Sequence, residues 1–171
     1  MKKISFQNDI LPLKNILYRL ALRITLNAED AEDVVQETML KVWNRRERWG
    51  EIESMEAFCL TICRNIALDK TRKMDNQSQS IEDGYDTADM SYASNPEEQA
   101  VQQDRIALVR RLIDRLPEKQ RSIMLLRETE GKSYREIADI LDISEEQVKV
   151  NLFRARQTIK KKYIETEDYG L

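Results

Sequence analysis

The chain has 171 residues, 41% of them hydrophobic, and a formal net charge of −3, which suits one domain or two small ones. It has no apolar run long enough to span a bilayer and no signal-type apolar segment, so we expect a cytoplasmic protein without stable membrane insertion. It contains no His, two Cys, no nucleophile motif and no Gly-rich phosphate loop. This composition argues against a metal site, and nothing in it indicates a cofactor or an enzyme.

The first part of the chain predicts two long helices, in keeping with only four Gly and three Pro overall. The first helix is predicted over residues 6–26. Its apolar side chains recur at helical spacing, namely Ile10, Leu13, Leu17, Leu20 and Ile24. Pro12 lies in its opening turns, where it is tolerated or delays the true start. Asn27 caps a second helix that runs to about Arg48.

Ser54 caps a third predicted helix, over residues 54–73. Its inner face is apolar and holds Met55, Phe58, Cys59, Ile62 and Ile66. Its outer face mixes groups that suit bases and phosphates, namely Thr61, Arg64, Asn65, Leu68, Asp69 and Arg72. Because Cys59 and Cys63 lie four residues apart on one helix, where disulfide geometry is poor, we interpret them as small hydrophobic core residues.

The acidic groups are concentrated in the middle of the chain. Residues 75–104 hold eight acidic groups and no basic one. Within them, residues 75–94 are polar and aperiodic, which predicts a flexible acidic linker. The linker joins two small helical domains, residues 1–74 and 95–171, and Pro96 suits the first helical position of the second domain.

The second domain predicts a helix-turn-helix. Its four helices are predicted over residues 96–115, 117–130 (ending at Gly131), 133–141 and 144–164. Capping boxes begin the last two helices, with Ser133 followed by Glu136 and Ser144 followed by Gln147. The turn between them is two residues long, and its Asp142 tolerates a left-handed conformation. Apolar stripes on the two helices can then pack together.

The last helix carries a basic face. Residues 149–162 contain six basic residues and no acid. One face holds Lys149, Phe153, Arg156 and Lys160, and it is flanked by Val150, Arg154, Gln157 and Lys161. Such a face can enter a DNA major groove, with cations on phosphates and a few side chains on base edges. The alternative is a solvated basic face on an ordinary helix.

Three blocks of sequence carry a resemblance to a known family. They are DAEDVVQETMLKVW at 30–43, SMEAFCLTICRNIALDKTRK at 54–73 and LPEKQRSIMLLRETEGKSYREIADILDISEEQVKVNLFRAR at 116–156. In this order they resemble the extracytoplasmic-function (ECF) subfamily of bacterial RNA polymerase sigma factors. Asp142 and the pair Val150-Asn151 depart from the residues usual in that family.

The resemblance implies a factor that directs core RNA polymerase to specific promoters and assists promoter opening. The surface that would dock on the clamp helices of the largest polymerase subunit comprises Asp33, Gln36, Glu37, Leu40 and Trp43. The surface that would bind the melted minus-10 strand comprises Trp49, Arg64, Asn65, Asp69, Arg72 and Lys73. Minus-35 binding is assigned to Tyr134, Arg135, Ser144, Gln147, Lys149, Val150, Phe153, Arg154 and Arg156. Two alternatives stay open: a solvated acidic helix start at Asp33, and a core role for Trp49.

The resemblance also implies an anti-sigma factor as partner and a linker that threads through the polymerase, although a plain tether remains equally open. We expect the free protein to be monomeric. Two other functions are considered, namely an autonomous regulator with the first domain as a dimerisation unit, and a helical adaptor whose basic helix is only solvated. The sigma factor is favoured, because residues 30–73 have no role in a simple repressor.

Overall fold

The computed structural model describes residues 3–77 and 96–168. Within those ranges every regular element is a helix, arranged as two domains, which confirms the all-α prediction. Most of the predicted linker, residues 78–94, lies outside the described residues. In the described part of the chain, no helix combines the length and the hydropathy needed to cross a membrane.

The first domain is a three-helix bundle in which each helix packs against the other two. Its helices are α1 (Lys14–Thr25), α2 (Ala28–Asn44) and α3 (Met55–Gln77). The helix predicted over residues 6–26 is divided, because a π-helical turn, Phe6–Ile10, and a 3₁₀ turn, Leu11–Leu13, precede α1. Pro12 accounts for the delayed start, since it lacks the N–H that an α-helical ladder needs.

The predicted caps of α2 and α3 are present. The Asn27 side chain accepts a hydrogen bond from the Asp30 amide at 3.0 Å, and the Ser54 hydroxyl accepts one from the Ala57 amide at 3.2 Å. The inner face of α2 is buried and comprises Ala31, Val34, Val35, Thr38 and Val42. These caps and this inner face hold the opposite face of α2 towards solvent.

The end of α2 differs from the prediction. The helix ends at Asn44 rather than near Arg48, and a 3₁₀ turn, Arg46–Glu51, follows it. Trp49 in this turn is buried, and its indole N–H donates to the Val42 carbonyl at 3.0 Å. Burial of one large ring therefore outweighs continuation of the helix.

The second domain consists of four helices, α4 (Pro96–Asp114), α5 (Glu118–Met124), α6 (Tyr134–Leu141) and α7 (Glu145–Asp168). The single helix predicted over residues 117–130 is instead α5 followed by a π-helical turn, Leu125–Thr129. Gly131, at a φ of 67°, then redirects the chain towards α6, which is a backbone conformation that Gly adopts without strain.

Helices α6 and α7 form the predicted helix-turn-helix. Both capping boxes are closed, with the Ser133 hydroxyl 3.1 Å from the Glu136 amide and the Ser144 hydroxyl 3.2 Å from the Gln147 amide. Asp142 is left-handed at a φ of 56°, as expected. The facing apolar stripes are buried and comprise Ile137, Ala138 and Leu141 on α6 and Val148, Leu152 and Ala155 on α7.

The two domains pack against each other, and their buried apolar residues form one continuous cluster. Helix α1 contacts α5, and α3 contacts α6. Four ion pairs among the described residues cross the boundary: Arg19–Glu130, Arg23–Asp114, Arg64–Glu118 and Lys132–Glu56. The sequence left the relative placement of the domains open, and the structure supplies it.

Candidate nucleic-acid and polymerase interfaces

The outward face of α7 lies opposite its buried apolar stripe. Phe153 is 61% exposed at the centre of this face, and Val150 beside it is 44% exposed. Lys149, Arg154 and Lys160 are also exposed on the same side. Exposed aromatic and aliphatic side chains among cations can contact bases and thymine methyl groups while the cations contact phosphates. The face therefore has the chemistry of a recognition helix.

Tyr134 lies between two cations at the start of α6. The Arg127 guanidinium is 4.5 Å from its ring centroid, and the Lys149 ammonium is 5.7 Å from it. Arg127 also donates to the Lys132 carbonyl at 2.8 Å, which fixes its position. Residue spacing does not reveal Arg127, because its cation–π contact depends on how the π-helical turn packs against α6.

Some predicted minus-35 residues have structural partners. Arg156 is bound by Glu128 of the π-helical turn, although it lies on the exposed side of α7. Ser144 and Gln147 form the capping box of α7, so their side chains hold the first turn of the helix. Arg135 is exposed on α6. The members of the predicted set thus have different partners in the structure.

The outer face of α3 presents four of the predicted minus-10 residues to solvent, namely Asn65, Asp69, Arg72 and Lys73. The Arg72 guanidinium lies 3.6 Å from the Asp69 carboxylate on the same helix, and both side chains are more than half exposed. Such an exposed pair is weak, so Arg72 can exchange Asp69 for another anion at little cost.

Two residues predicted for the minus-10 surface are not exposed. Arg64 was placed on the outward face of α3, which is wrong for this arrangement, because its side chain is 11% exposed and paired with Glu118 of α5. Trp49 is 7% exposed and packs in the core of the first domain. The structure therefore favours the alternative that Trp49 is a core anchor.

The predicted polymerase-binding residues lie together on one exposed face of α2, namely Asp33, Gln36, Glu37, Leu40 and Trp43. Leu40 is 63% exposed and Trp43 is 43% exposed. The Asp33 carboxylate lies 3.2 Å from the Lys70 ammonium of α3. Exposed large apolar side chains beside carboxylates are typical of a protein-binding surface rather than of a merely solvated helix.

An aromatic cluster holds Trp43 in place. The rings of Phe6 and Trp49 lie edge-on to it, at centroid distances of 5.6 and 6.0 Å, and the Arg46 guanidinium lies 4.7 Å from its centroid. Phe6 and Arg46 are not among the residues predicted for this surface. The three-residue spacing of Trp43 and Arg46 in the sequence could have indicated that the Arg46 side chain contacts the Trp43 ring.

The cysteines have the structural role that was predicted. Both thiols are free and buried, and burial raises the pKa of each to about 12. The Cys63 thiol lies 3.4 Å from the Leu17 carbonyl and can donate to it. Among the described residues, no group of three or more His, Cys, Asp or Glu side chains is arranged to hold a metal ion.

Comparison with known proteins gives two family matches in the same order as the two domains. Sigma-70 region 2 matches residues 10–77, and Sigma-70 region 4 matches residues 106–159. The ECF RNA polymerase sigma factor SigL of Mycobacterium tuberculosis is 31% identical over 146 residues, which cover 85% of this chain and 81% of SigL. The chain belongs to the ECF RNA polymerase sigma factors. It is a transcription initiation factor that directs RNA polymerase to promoters.

Two further comparisons bear on this ECF sigma factor. The probable RNA polymerase sigma factor RfaY of Xanthomonas campestris is 29% identical over 161 residues, covering 91% of this chain but only 39% of RfaY. The sigma factor RpoE of Bartonella quintana, solved in complex with the anti-sigma factor NepR, superposes with a TM-score of 0.75 at 21% identity, covering 91% of this chain and 94% of RpoE. The second likeness supports the fold alone.

Proposed function

We propose that the outward face of α7 reads the minus-35 duplex of the promoter. The observation that carries the proposal is the exposed position of Phe153 and Val150 among cations, directly opposite the stripe that anchors α7. Lys149 and Arg154 lie in the first three turns, where a recognition helix meets base edges. Lys160 and the lysines after it lie too far along the helix to reach the groove floor and would contact phosphates.

The first domain would have two roles on two helices. The outer face of α3, centred on Asn65, would bind the melted minus-10 strand, with Arg72 and Lys73 on its backbone. The exposed face of α2, with Leu40 and Trp43, would dock on the clamp helices of the largest polymerase subunit. Separate faces allow both contacts to be made at once, which a factor that couples recruitment to opening requires.

The remaining assignments follow from these roles. Residues 1–74 would form the region 2 domain and residues 95–171 the region 4 domain, with residues 75–94 as the linker. The factor would act in the cytoplasm as a monomer until it binds polymerase, and it would have no catalytic activity of its own, since bond formation belongs to the polymerase. An anti-sigma factor would be a further partner, as NepR is of the similarly folded RpoE.

Run-off transcription with purified core polymerase on genomic fragments tests the proposal. The parent should direct initiation at discrete sites that core polymerase alone does not use. Asn65→Ala should reduce permanganate reactivity of the minus-10 region on linear DNA and leave minus-35 duplex binding unchanged, because the two contacts lie on different domains. A pre-melted template should restore part of its activity. Equal melting by Asn65→Ala and the parent would remove Asn65 from the site.

A further inference from the structure

Arg64 is covered by the second domain, although its neighbour on α3, Asn65, is exposed. Its guanidinium makes two hydrogen bonds to Glu118 of α5, from Nε at 3.2 Å and from a terminal nitrogen at 3.0 Å. The hydroxyl of Ser122, which is fully buried, donates to the same carboxylate at 2.8 Å and holds it in place. Arg64 and Glu118 thus form a bidentate ion pair in which a further hydrogen bond fixes the carboxylate.

The geometry of this contact is one that DNA could reproduce. A guanidinium forms the same forked pair of hydrogen bonds with a carboxylate and with a phosphate. Both side chains also retain some exposure, 11% for Arg64 and 22% for Glu118, so separation of the domains would return them to water without uncovering a deep core pair. Glu118 and a backbone phosphate are therefore alternative ligands for one site.

Three of the four ion pairs that the described residues form across the domain boundary have the same polarity, with the cation in the first domain and the acid in the second. Arg19, Arg23 and Arg64 of the first domain each pair with an acid of the second, namely Glu130, Asp114 and Glu118. The second domain thus presents carboxylates to a row of arginines on α1 and α3. Lys132 and Glu56 form the reverse pair.

We propose that Arg64 is a DNA-backbone contact that Glu118 blocks while the two domains are packed together. Glu118 then competes with the phosphates of the single strand for binding to Arg64. This inference rests on the proposed role of α3. When the domains separate, Arg64 leaves Glu118 and binds a phosphate next to the base held at Asn65. The packed domains then represent a state of low affinity for the melted strand, and binding that strand favours the open state.

Oligonucleotide binding by the full chain tests this competition. The probe is a fluorescein-labelled oligothymidine of about 15 nucleotides, read by anisotropy at low salt. Glu118→Gln should raise affinity roughly three- to tenfold, because the neutral amide competes less well for Arg64. Glu118→Asp, which keeps the charge but has a shorter reach, should give a smaller gain. Glu29→Gln, an exposed acid at the start of α2, is the matched control for the change in net charge.

The combined variant Arg64→Gln with Glu118→Gln decides the role of Arg64. It should not show the higher oligonucleotide affinity expected of Glu118→Gln alone. An affinity for Glu118→Gln no higher than that of Glu29→Gln, or a gain that persists in the combined variant, would overturn the inference. Circular dichroism melts exclude unfolding as the cause of either result. Run-off transcription by the parent is a separate readout. Normal promoter use together with unchanged oligonucleotide binding by Glu118→Gln would reject the competition while leaving the proposed function standing.

Discussion

The guanidinium of Arg121, in α5, donates a hydrogen bond of 2.7 Å to the backbone carbonyl of Arg23 near the end of α1. It also donates to the Ile24 carbonyl at 3.3 Å and to the Leu116 carbonyl of its own domain at 2.7 Å. Burial lowers the pKa of Arg121 from its ordinary value. One cation of the second domain thus caps the last carbonyls of a helix in the first, where helices bind positive charge best.

Replacing Arg121 should therefore destabilise both domains together. Arg121→Leu removes three hydrogen bonds to carbonyls, and we expect the free energy of unfolding to fall by about 2–4 kcal/mol, measured by urea denaturation followed by circular dichroism. Arg19→Ala is the control, since Arg19 is 44% exposed in its pair with Glu130 and should cost no more than about 1 kcal/mol. Similar losses in the two variants would mean that the cap of α1 contributes little.

Polymerase binding should depend on the exposed face of α2. Asp33→Arg combined with Gln36→Ala should abolish association with core polymerase in gel filtration while leaving helicity unchanged, because both side chains are exposed and the pair of Asp33 with Lys70 is a surface contact. Glu29→Gln on the same helix should bind normally. A transcribing complex formed by the double variant would show that this surface is misassigned.

Trp49 should behave as a structural residue. Trp49→Phe keeps a ring in the pocket but loses the hydrogen bond to the Val42 carbonyl, so we expect a loss of about 1 kcal/mol of stability and little change in promoter melting. Trp49→Ala should cost about 3–5 kcal/mol. If Trp49→Phe instead retains full stability in urea but fails to melt promoters in the permanganate assay, the ring captures a base and the core assignment is incorrect.

Residues along α7 should divide into readers of sequence and anchors on phosphate. Arg154→Ala should cost about 1–3 kcal/mol on the preferred upstream element and reduce discrimination among its variants. Lys160→Ala should weaken binding to all duplexes by a similar factor and lower the salt slope by at most about one unit. Equilibrium titrations on matched and scrambled duplexes separate the two. If Arg154→Ala lowered the affinity for the matched and the scrambled duplex equally, other residues of the helix would read the sequence.

Stability should fall at high pH because of the buried thiols. Cys59 and Cys63 have a pKa of about 12 in the folded protein and an ordinary value near 9.0 when unfolded. Between these two values the unfolded chain has released the protons that the folded protein still holds, so the free energy of unfolding decreases with pH by about 1.4 kcal/mol per unit for each thiol. Cys63→Ala should show a correspondingly shallower decrease in urea titrations. If the free energy of unfolding fell with pH equally steeply in Cys63→Ala and the parent, groups other than the Cys63 thiol would cause the loss of stability at high pH.

The local features of this protein were determined by its sequence. Capping residues such as Ser133 and Ser144 satisfy backbone donors within three residues, and apolar side chains at helical spacing, such as Val148 and Leu152, choose the buried face wherever the helix packs. These interactions span a few residues, so the helix-turn-helix could be predicted from residue spacing alone.

What the tertiary structure alone decided is the environment of side chains whose partners are distant in sequence. Arg64 reads as an outward residue of α3, but Glu118, 54 positions later, covers it. The boundary between α2 and its following turn was likewise misjudged, because burial of Trp49 against Val42 outweighs continuation of the helix. The packing of the two domains depends on such contacts, including Arg121 with the end of α1, 98 positions away. Helical periodicity and capping report only local preferences, whereas pairing across the chain depends on which surfaces meet, and that is settled by the summed burial and charge of the whole interface.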